Sequence, residues 1–267
     1  MTQAQKPRTV GIIPARLGST RLSRKVLREI HGQILIEVVY RRARQSPLLD
    51  ELWVATDSEE VVEACDERKI PALMTSQKHL SGTDRIWEVM TKKPAEIYVN
   101  IQGDEPLVRA EHLEALLKPF ASGKDVQVAT LKTKISREAA SNPNVVKVVT
   151  DSAGRALYFS RSLIPFDRDG SSTLPIYKHL GFYAYTGAAL ETFHKLPPSK
   201  LEQTEKLEQL RFLENGIPIF VSETPFDTMG VDTEEDLQRA AALLANEINS
   251  PKTLRASSSI SGKKQGV

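Results

Sequence analysis

The first 120 residues alternate between short apolar runs and longer segments with apolar residues at helical spacing. The runs are rich in Val and Ile, as buried strands are, and lie at residues 9–14, 51–57, 70–74 and 96–102. Helical spacing follows each of them, at residues 34–44, 58–69, 84–92 and 109–120. This alternation predicts an α/β fold, a mainly parallel sheet with helices on both faces. In such sheets, ligands bind beyond the carboxyl ends of the strands.

After residue 123 the pattern predicts a mixed sheet. Strands are expected near residues 126–133, 145–149, 156–161, 179–185 and 217–223, and helices at 201–215 and 236–248. The segment from Pro165 to Pro175 contains Pro and Gly and is predicted to be an exposed, mobile loop. We expect a single domain over residues 1–248, with halves at 9–122 and 123–248. Residues 249–267, rich in Ser, Lys and Gly, are predicted to form a disordered tail.

Composition excludes several classes of protein. The net charge of +2, from 36 cations and 34 acids, creates no overall field of the kind that binds nucleic acid. The single Cys65 permits no intrachain disulfide, and its place in a predicted helix favours a packed thiol in a reducing compartment. No apolar run approaches the roughly 20 residues that span a bilayer, and the start lacks an apolar signal core. We therefore expect a cytoplasmic protein that binds neither nucleic acid nor a membrane.

A basic loop follows the first strand. Residues 16–25 contain one Gly, several hydroxyls and four cations. Backbone N–H groups of such a loop can approach an anion while Arg and Lys supply charge. Taken alone, the loop is equally well interpreted as a solvated basic turn. It lacks the glycine patterns of P-loop kinases and of dinucleotide-binding oxidoreductases, which disfavours both classes.

Two acids, one in each half of the chain, lie next to predicted elements. Asp104 comes directly after a buried strand, and Asp232 stands before the last helix. Mg²⁺ needs few protein oxygens, because it takes its other ligands from water and phosphates. Alone, Asp232 is better interpreted as a helix N-cap, and Asp104 equally well as a turn former or a ligand. Together with the basic loop, the pair indicates nucleotidyl transfer, in which phosphate charge is neutralised while the nucleophile is held in line.

Nine sequence blocks, in order between about residues 9 and 244, match one family. They are IPARLGSTRL (13–22) with Lys25, VATD (54–57), SGTDR (81–85), NIQGDEP (100–106), NPNVVK (142–147), ALYFSRS (156–162), KHLGFY (178–183), LEQLR (207–211) and GVDTEED (230–236). The chain resembles the 3-deoxy-manno-octulosonate cytidylyltransferases, also called CMP-Kdo synthetases. The resemblance implies a nucleotide-diphospho-sugar-transferase-like fold. It also implies the reaction of CTP with Kdo to CMP-Kdo and pyrophosphate, which serves lipopolysaccharide synthesis.

The resemblance also implies a role for each matching position. Its catalytic residues would be Arg16, Lys25, Asp104 and Asp232, the two acids as ligands of Mg²⁺. CTP would contact the first half, through Pro14, Ala15, Arg16, Ser19, Thr20, Lys25, Ser81, Thr83, Arg85 and Asp104. The second half would bind the sugar and form a homodimer. The sugar residues would be Gln102, Arg161, His179, Tyr183, Glu208 and Gln209, with Arg161 on the sugar carboxylate.

Without the family pattern, several of these residues have ordinary structural interpretations. Arg161 is equally well a surface residue, and His179 is more often a packed strand histidine than a ligand contact. Glu208 and Gln209 lie in a charge-rich helical segment whose default interpretation is a solvated face.

One segment departs from the family. Ser23-Arg24-Lys25-Val26 stands where the family usually has Pro-Gly-Lys-Pro, which changes the stiffness and permitted dihedrals of the loop. CMP-sialate synthetases carry an Arg-Lys pair near this place, whereas residues 102–106 resemble the Kdo group. We therefore expect Kdo as the sugar. The alternatives are 8-amino-Kdo or a sialate, or a catalytically silent homologue that only binds nucleotide.

Overall fold

A nine-stranded mixed sheet forms the centre of the protein in the computed structural model, which describes residues 7–18, 21–79, 81–122, 125–171 and 173–248. The strands are β1 (Thr9–Ala15), β2 (Glu29–Ile30), β3 (Gln33–Ile34), β4 (Glu51–Thr56), β5 (Ala72–Met74), β6 (Ile97–Asn100), β7 (Val128–Ile135), β8 (Lys147–Thr150), β9 (Ala156–Ser160), β10 (Ile176–Thr186) and β11 (Ile219–Glu223). The helices are α1 (Leu35–Ala43), α2 (Glu59–Glu67), α3 (Gly82–Lys92), α4 (Ala110–Leu117), α5 (Arg137–Ala140), α6 (Gly187–Lys195), α7 (Lys200–Glu205), α8 (Leu210–Glu214) and α9 (Glu234–Ile248). The predicted tail at 249–267 lies outside the described residues.

The strand order of the large sheet is β11-β7-β10-β6-β1-β4-β5. Strands β6, β1, β4 and β5 run parallel, as the alternation of strands and helices predicts. The long β10 is antiparallel to both β6 and β7, while β11 is parallel to β7. Strands β8 and β9 branch from β10, and β2 pairs with β3 in a separate two-stranded sheet. The prediction of a mixed, mainly parallel sheet with a mixed-sheet second half is confirmed.

Helices cover both faces of the sheet, and the side chains of β1 divide between two cores. Ile13 packs into one core with residues of α1, α2 and α4, while Ile12 packs into the other with residues of α3 and α6. Both isoleucines are fully buried, because β1 lies between β4 and β6. This burial explains why the strand is a continuous apolar run in the sequence rather than an alternating one.

The structure bears on two of the expectations drawn from composition, the packed thiol and the absence of a membrane-spanning segment. Cys65 is a free, buried thiol in α2, and burial, with the charge of Asp66 adding to it, raises its pKa to about 11. The expectation of a packed rather than a nucleophilic thiol is confirmed. None of the helices in the described ranges is long and apolar enough to cross a membrane.

The second half differs from the prediction in its helices, and the short α5 is one that the sequence pattern did not predict. The single helix expected at 201–215 is instead two helices, α7 and α8, because Lys206 takes the left-handed conformation with φ of 55° and ends α7. Helix α6 was not predicted at all. It follows β10 without a loop, and the Thr186 side chain caps it by accepting a hydrogen bond from the Ala189 N–H. In the described part of the segment from Pro165 to Pro175 most residues are exposed, Phe166 to 84%.

Close approach of two chain segments brings the carboxyl ends of β1 and β6 together. A Cβ on Gly103 would lie 2.7 Å from the Pro14 carbonyl oxygen, so only glycine permits this contact. Asp104 follows directly, and its carbonyl accepts a hydrogen bond of 2.8 Å from the Val231 N–H. The turn after β6 is thereby attached both to the end of β1 and to the segment that precedes α9.

Candidate functional site

A cleft of about 660 Å³ opens beyond the carboxyl ends of β1 and β6. Its opposite wall is formed by the middle of β10 and by the segment that joins α7 to α8. Most of the residues predicted for the site line it, namely Pro14, Arg16, Lys25, Ser81, Thr83, Gln102, Asp104, His179, Tyr183, Glu208, Gln209 and Asp232. The cleft therefore joins residues from both halves of the chain, at the edge where parallel sheets bind ligands.

Several predicted residues do not line the cleft. Ala15 is buried in β1. Arg85 is fully buried because its guanidinium donates to the Asp57 carboxylate at 2.7 Å and to Thr75. Arg161 turns away because its Nε donates to the Glu205 carbonyl at 2.7 Å and another guanidinium nitrogen donates to the Pro143 carbonyl at 3.2 Å. The structure does not bring these three side chains to the cleft. Ser19 and Thr20 lie outside the described residues.

Lys25 lies between the two predicted metal-binding carboxylates. Its Nζ donates to Asp104 at 2.6 Å and to Asp232 at 2.9 Å. Arg21, in the same loop, donates to the other oxygen of Asp232 at 2.8 Å. Burial lowers the pKa of Lys25, but the attraction of Asp104 and Asp232 outweighs it and raises the pKa above its usual value. The arrangement is thus a cation held by two carboxylates from distant parts of the chain.

The segment after β1 supplies charge to this end of the cleft. Arg16 lines the cleft and makes no ion pair with any described residue, so its guanidinium is available to an anion. The family departure at 23–26 is accommodated: Arg24 takes the left-handed conformation with φ of 56°, which glycine adopts more readily, and pairs with Glu60 on α2. Val26 is buried in the core. Lys25 therefore points into the cleft although the family's Gly and Pro are missing.

The opposite wall contains a carboxylate at the start of a helix. Glu208 accepts a hydrogen bond of 2.9 Å from the Thr83 hydroxyl and further ones from the backbone of Gly82 and Thr83, at the N-terminus of α3. Burial raises the pKa of Glu208, while these hydrogen bonds oppose the rise. Ser81 caps α3, because its hydroxyl accepts from the Asp84 N–H at 3.0 Å. The expectation of a solvated helix face at Glu208 is wrong, since α7 ends before it.

His179 lies on β10 where the strand faces the cleft. Its Nε2 is 2.9 Å from the Tyr183 hydroxyl and 3.1 Å from the Thr130 hydroxyl, and Phe159 packs edge-on against its ring. Burial, with the charge of Lys178 adding to it, lowers the pKa of His179 to about 3. The imidazole is therefore neutral at physiological pH, and His179 serves as a hydrogen-bonding group of fixed position.

A bulge in β10 shapes the wall beside His179. The pairing of β10 with β7 shifts register between Leu180 and Tyr183, and the Gly181 carbonyl accepts a hydrogen bond of 3.1 Å from the Gln102 side chain. A Cβ on Gly181 would stand 3.3 Å from Gln102 and Glu105, so glycine keeps this wall open. Bulges of this kind re-aim side chains next to binding sites.

The sequence prediction missed other residues that line the cleft: Arg21, Asn100, Gly181, Tyr185, Lys206 and Phe212. Arg21 belongs to the basic loop, and Tyr185 lies two residues from Tyr183 on the same face of β10, so both had a signal in the sequence. Lys206 had none, because neither Gly nor Asn marks the end of α7.

Comparison with known proteins places the chain in a family. The cytidylyltransferase family model matches residues 10–222. The chain is 53% identical over 237 residues to the 3-deoxy-manno-octulosonate cytidylyltransferase of Koribacter versatilis, with 89% of this chain and 90% of that protein covered. It is 54% identical over 235 residues to the enzyme of the same name from Acidobacterium capsulatum, with 88% and 96% covered. The chain belongs to the 3-deoxy-manno-octulosonate cytidylyltransferase family.

A solved structure supports the same assignment at the level of the fold. The structure of CMP:2-keto-3-deoxy-manno-octonic acid synthetase complexed with CTP is 44% identical and has a TM-score of 0.86, with 90% of this chain and 99% of that chain covered. The resemblance drawn from the nine sequence blocks and the nucleotide-diphospho-sugar-transferase-like fold that it implied are confirmed.

The pH dependence of stability tests the environment of His179. The unfolded chain protonates this ring near pH 6.5, whereas the folded protein does so only near pH 3. Between these two pH values the unfolded state therefore binds more protons than the folded state. As the pH is lowered through this range, the free energy of unfolding decreases, by up to about 1.4 kcal/mol per pH unit. Between pH 7 and 5 we expect urea unfolding of the unmodified protein to lose up to about 2 kcal/mol more than that of His179→Gln. Equal losses in both would contradict the assignment.

The left-handed conformation of Arg24 gives a second prediction. Arg24→Gly and Arg24→Ala both remove the ion pair with Glu60, so that loss cancels in their comparison. Because φ of 56° disfavours a side chain, we expect the Gly variant to be about 1 kcal/mol more stable than the Ala variant in urea unfolding. Equal stability of the two variants would mean that Arg24 does not hold this conformation in solution.

Proposed function

We propose that the protein transfers CMP from CTP to 3-deoxy-D-manno-octulosonate, giving CMP-Kdo and pyrophosphate. The observation that carries the proposal is the cleft in which Lys25, Asp104 and Asp232 meet next to Arg16, which forms no ion pair within the described part of the chain. The two relatives with 53% and 54% identity bear the name of this activity, and the solved structure with a TM-score of 0.86 is of a synthetase complexed with CTP.

The residues of the cleft fit the charges of this reaction. A sugar hydroxyl oxygen forms a bond to the α-phosphorus of CTP, the bond from that phosphorus to the β-phosphate oxygen breaks, and the hydroxyl proton is released with departure of pyrophosphate. Arg16 and Lys25, which line the cleft, would bind the phosphates and neutralise the charge that the leaving group gains. Ser81 and Thr83 support a nucleoside site at the start of α3, and Gln102, His179 and Tyr183 support a sugar site on β10.

Asp104 and Asp232 would hold Mg²⁺ in this proposal. They already converge on one cation, the ammonium of Lys25, and carboxylate oxygens are the ligands that Mg²⁺ prefers. The described residues contain no cluster of three or more His, Cys, Asp or Glu suited to a metal, so phosphates and water would complete the ligand set. When bound, the ion supplies positive charge at the reacting phosphate.

The alternatives have less support. Neither relative named above is a sialate or 8-amino-Kdo enzyme by its name. A silent nucleotide-binding homologue would not need both carboxylates and both Arg16 and Lys25 in one cleft. We place the reaction in the cytoplasm, where CTP is made, and the free thiol of Cys65 fits that compartment.

A homodimer is part of the proposal. Leu157 on β9 and Phe166 in the following loop are 62% and 84% exposed, and we expect the partner chain to cover them. We expect light scattering to give twice the mass of one chain. Leu157→Glu combined with Phe166→Asp should lower that mass to a single chain. A single-chain mass for the unmodified protein would exclude the homodimer.

An assay of pyrophosphate release tests the function directly. Each nucleoside triphosphate is combined in turn with Kdo, 8-amino-Kdo and a sialate, and release is expected with CTP and Kdo. In Asp104→Ala we expect turnover to fall by about 10²-fold or more, because a group that stabilises charge at the reacting phosphate is lost. The control is Asp66→Ala, which removes an exposed acid of α2. Absence of pyrophosphate release with every pair of substrates would refute the proposed activity. Near-normal turnover of Asp104→Ala would refute the proposed role of Asp104.

A further inference from the structure

Two charged residues lie beside the cleft without lining it. Lys178 directly precedes His179 on β10, and Glu105 directly follows Asp104. Both belong to sequence blocks that match the family, yet the resemblance implied a role for neither. Their contacts lead to the segment of the chain that carries Asp232.

Lys178 connects β10 to the segment that leads to Asp232. Its Nζ donates to the Asp227 carboxylate at 2.8 Å and to the Thr228 carbonyl at 2.5 Å. The same Asp227 oxygen accepts a hydrogen bond of 2.8 Å from the Thr228 N–H, so one oxygen holds both the ammonium and the backbone. Because the Lys178 side chain is only 19% exposed, its hydrogen bond to the carbonyl is largely shielded from water and is stronger than that of a surface lysine.

Glu105 places an acid at the same point. One of its carboxylate oxygens is buried, and the other faces β10, where a Cβ on Gly181 would lie 3.3 Å from it. The charge of Asp104 repels this carboxylate, whereas the charge of Lys178 attracts it. A buried carboxylate without a nearby cation is unfavourable, so Lys178 also stabilises the turn after β6 that carries Asp104.

A second contact fixes the segment next to Asp232. The Val231 N–H donates to the Asp104 carbonyl at 2.8 Å. The segment is therefore attached at Thr228 to the Lys178 side chain and at Val231 to the turn after β6. Because only two residues lie between these attachments, they leave the backbone before Asp232 little freedom.

The proposed binding of Mg²⁺ makes this placement important. The ion requires nearly octahedral geometry, with oxygen ligands at about 2.0–2.1 Å, so carboxylates from distant segments must be set accurately against each other. In the structure, oxygens of Asp104 and Asp232 converge on the Lys25 ammonium at 2.6 and 2.9 Å. A displacement of one of them by about 0.5 Å would be enough to weaken a metal site.

We propose that Lys178 is a positioning residue that sets Asp232 against Asp104, so that the two carboxylates bind one Mg²⁺ together with CTP. The proposal rests on the proposed function, since the metal and the nucleotide belong to that reaction. Lys178 itself touches neither of them, because it does not line the cleft.

The Mg²⁺ dependence of nucleotide binding tests the proposal without turnover. The probe is α,β-methylene CTP, which cannot transfer CMP, and calorimetry measures its affinity with Mg²⁺ and with a chelator. The ratio of these two affinities is the Mg²⁺ factor, which we expect to be about tenfold or more in the unmodified protein. In Lys178→Met it should fall to about twofold or less, because the carboxylates are no longer held together. The affinity measured in the chelator should stay within about twofold of normal.

The conservative variant and a matched control separate positioning from general stability. Lys178→Arg should keep the Mg²⁺ factor, since a guanidinium can also donate to a carboxylate and a carbonyl. Lys134 on β7 also pairs with an acid, Glu223, but its side chain is 61% exposed and neither member of this pair lines the cleft. Lys134→Met should therefore leave the Mg²⁺ factor unchanged. Asp227→Ala, at a position that is 57% exposed, removes the other end of the contact and should lower the factor about threefold or more.

An unchanged Mg²⁺ factor in Lys178→Met overturns the positioning role, and if that variant does not fold, an unchanged factor in Asp227→Ala does so. An equal loss of affinity with and without Mg²⁺ overturns it as well, because it indicates a general structural effect. Failure of Mg²⁺ to strengthen binding to the unmodified protein also overturns it. The proposed function is tested separately by pyrophosphate release from the unmodified protein, an assay that can fail while the Mg²⁺ factor is retained.

Discussion

The contact of Lys25 with Asp104 and Asp232 is the interaction on which the site depends. It joins the loop after β1, the turn after β6 and the segment before α9, three places that are distant in the sequence. Its geometry requires the close approach of Gly103 to the end of β1, and the Val231 N–H that binds the Asp104 carbonyl fixes the third segment. Removing Lys25 would take this cation from the partly buried Asp104, while Asp232 would keep Arg21, so the lysine is the member that joins the two carboxylates.

Much of the fold and part of the site could be predicted, because the signals are local. Apolar runs, helical spacing and the residues that follow strands placed Asp104 and the basic loop at one edge of the sheet, where both are found. The orientations of the Arg85 and Arg161 side chains could not be predicted, because each depends on which hydrogen-bond acceptor the fold brings next to the guanidinium. The acceptors are the Asp57 carboxylate for Arg85 and the Glu205 carbonyl for Arg161, and the spacing of residues in the sequence indicates neither contact.

The cleft divides into two ends that treat charge differently. At the end lined by Lys25, Asp104 and Asp232, the carboxylates keep Lys25 protonated against the effect of burial. At the end lined by His179 and Glu208, burial keeps His179 neutral and raises the pKa of Glu208, which nevertheless accepts hydrogen bonds from the start of α3. The proposed reaction needs fixed cations for the nucleotide phosphates and uncharged donors and acceptors for the sugar hydroxyls, which is the division that these two ends offer.

Two residues with left-handed backbone flank the cleft, and their positions suggest a common reason. Arg24 directly precedes Lys25, and Lys206 directly precedes the segment with Glu208 and Gln209. Glycine at either position would relieve a strain of roughly 1 kcal/mol, yet it would also free the backbone that aims the following side chains. At Arg24 the ion pair with Glu60 compensates part of the strain. At Lys206 the contacts of Arg161 and Ser160 with Glu205 hold the preceding residue, so the backbone of the cleft wall is fixed there.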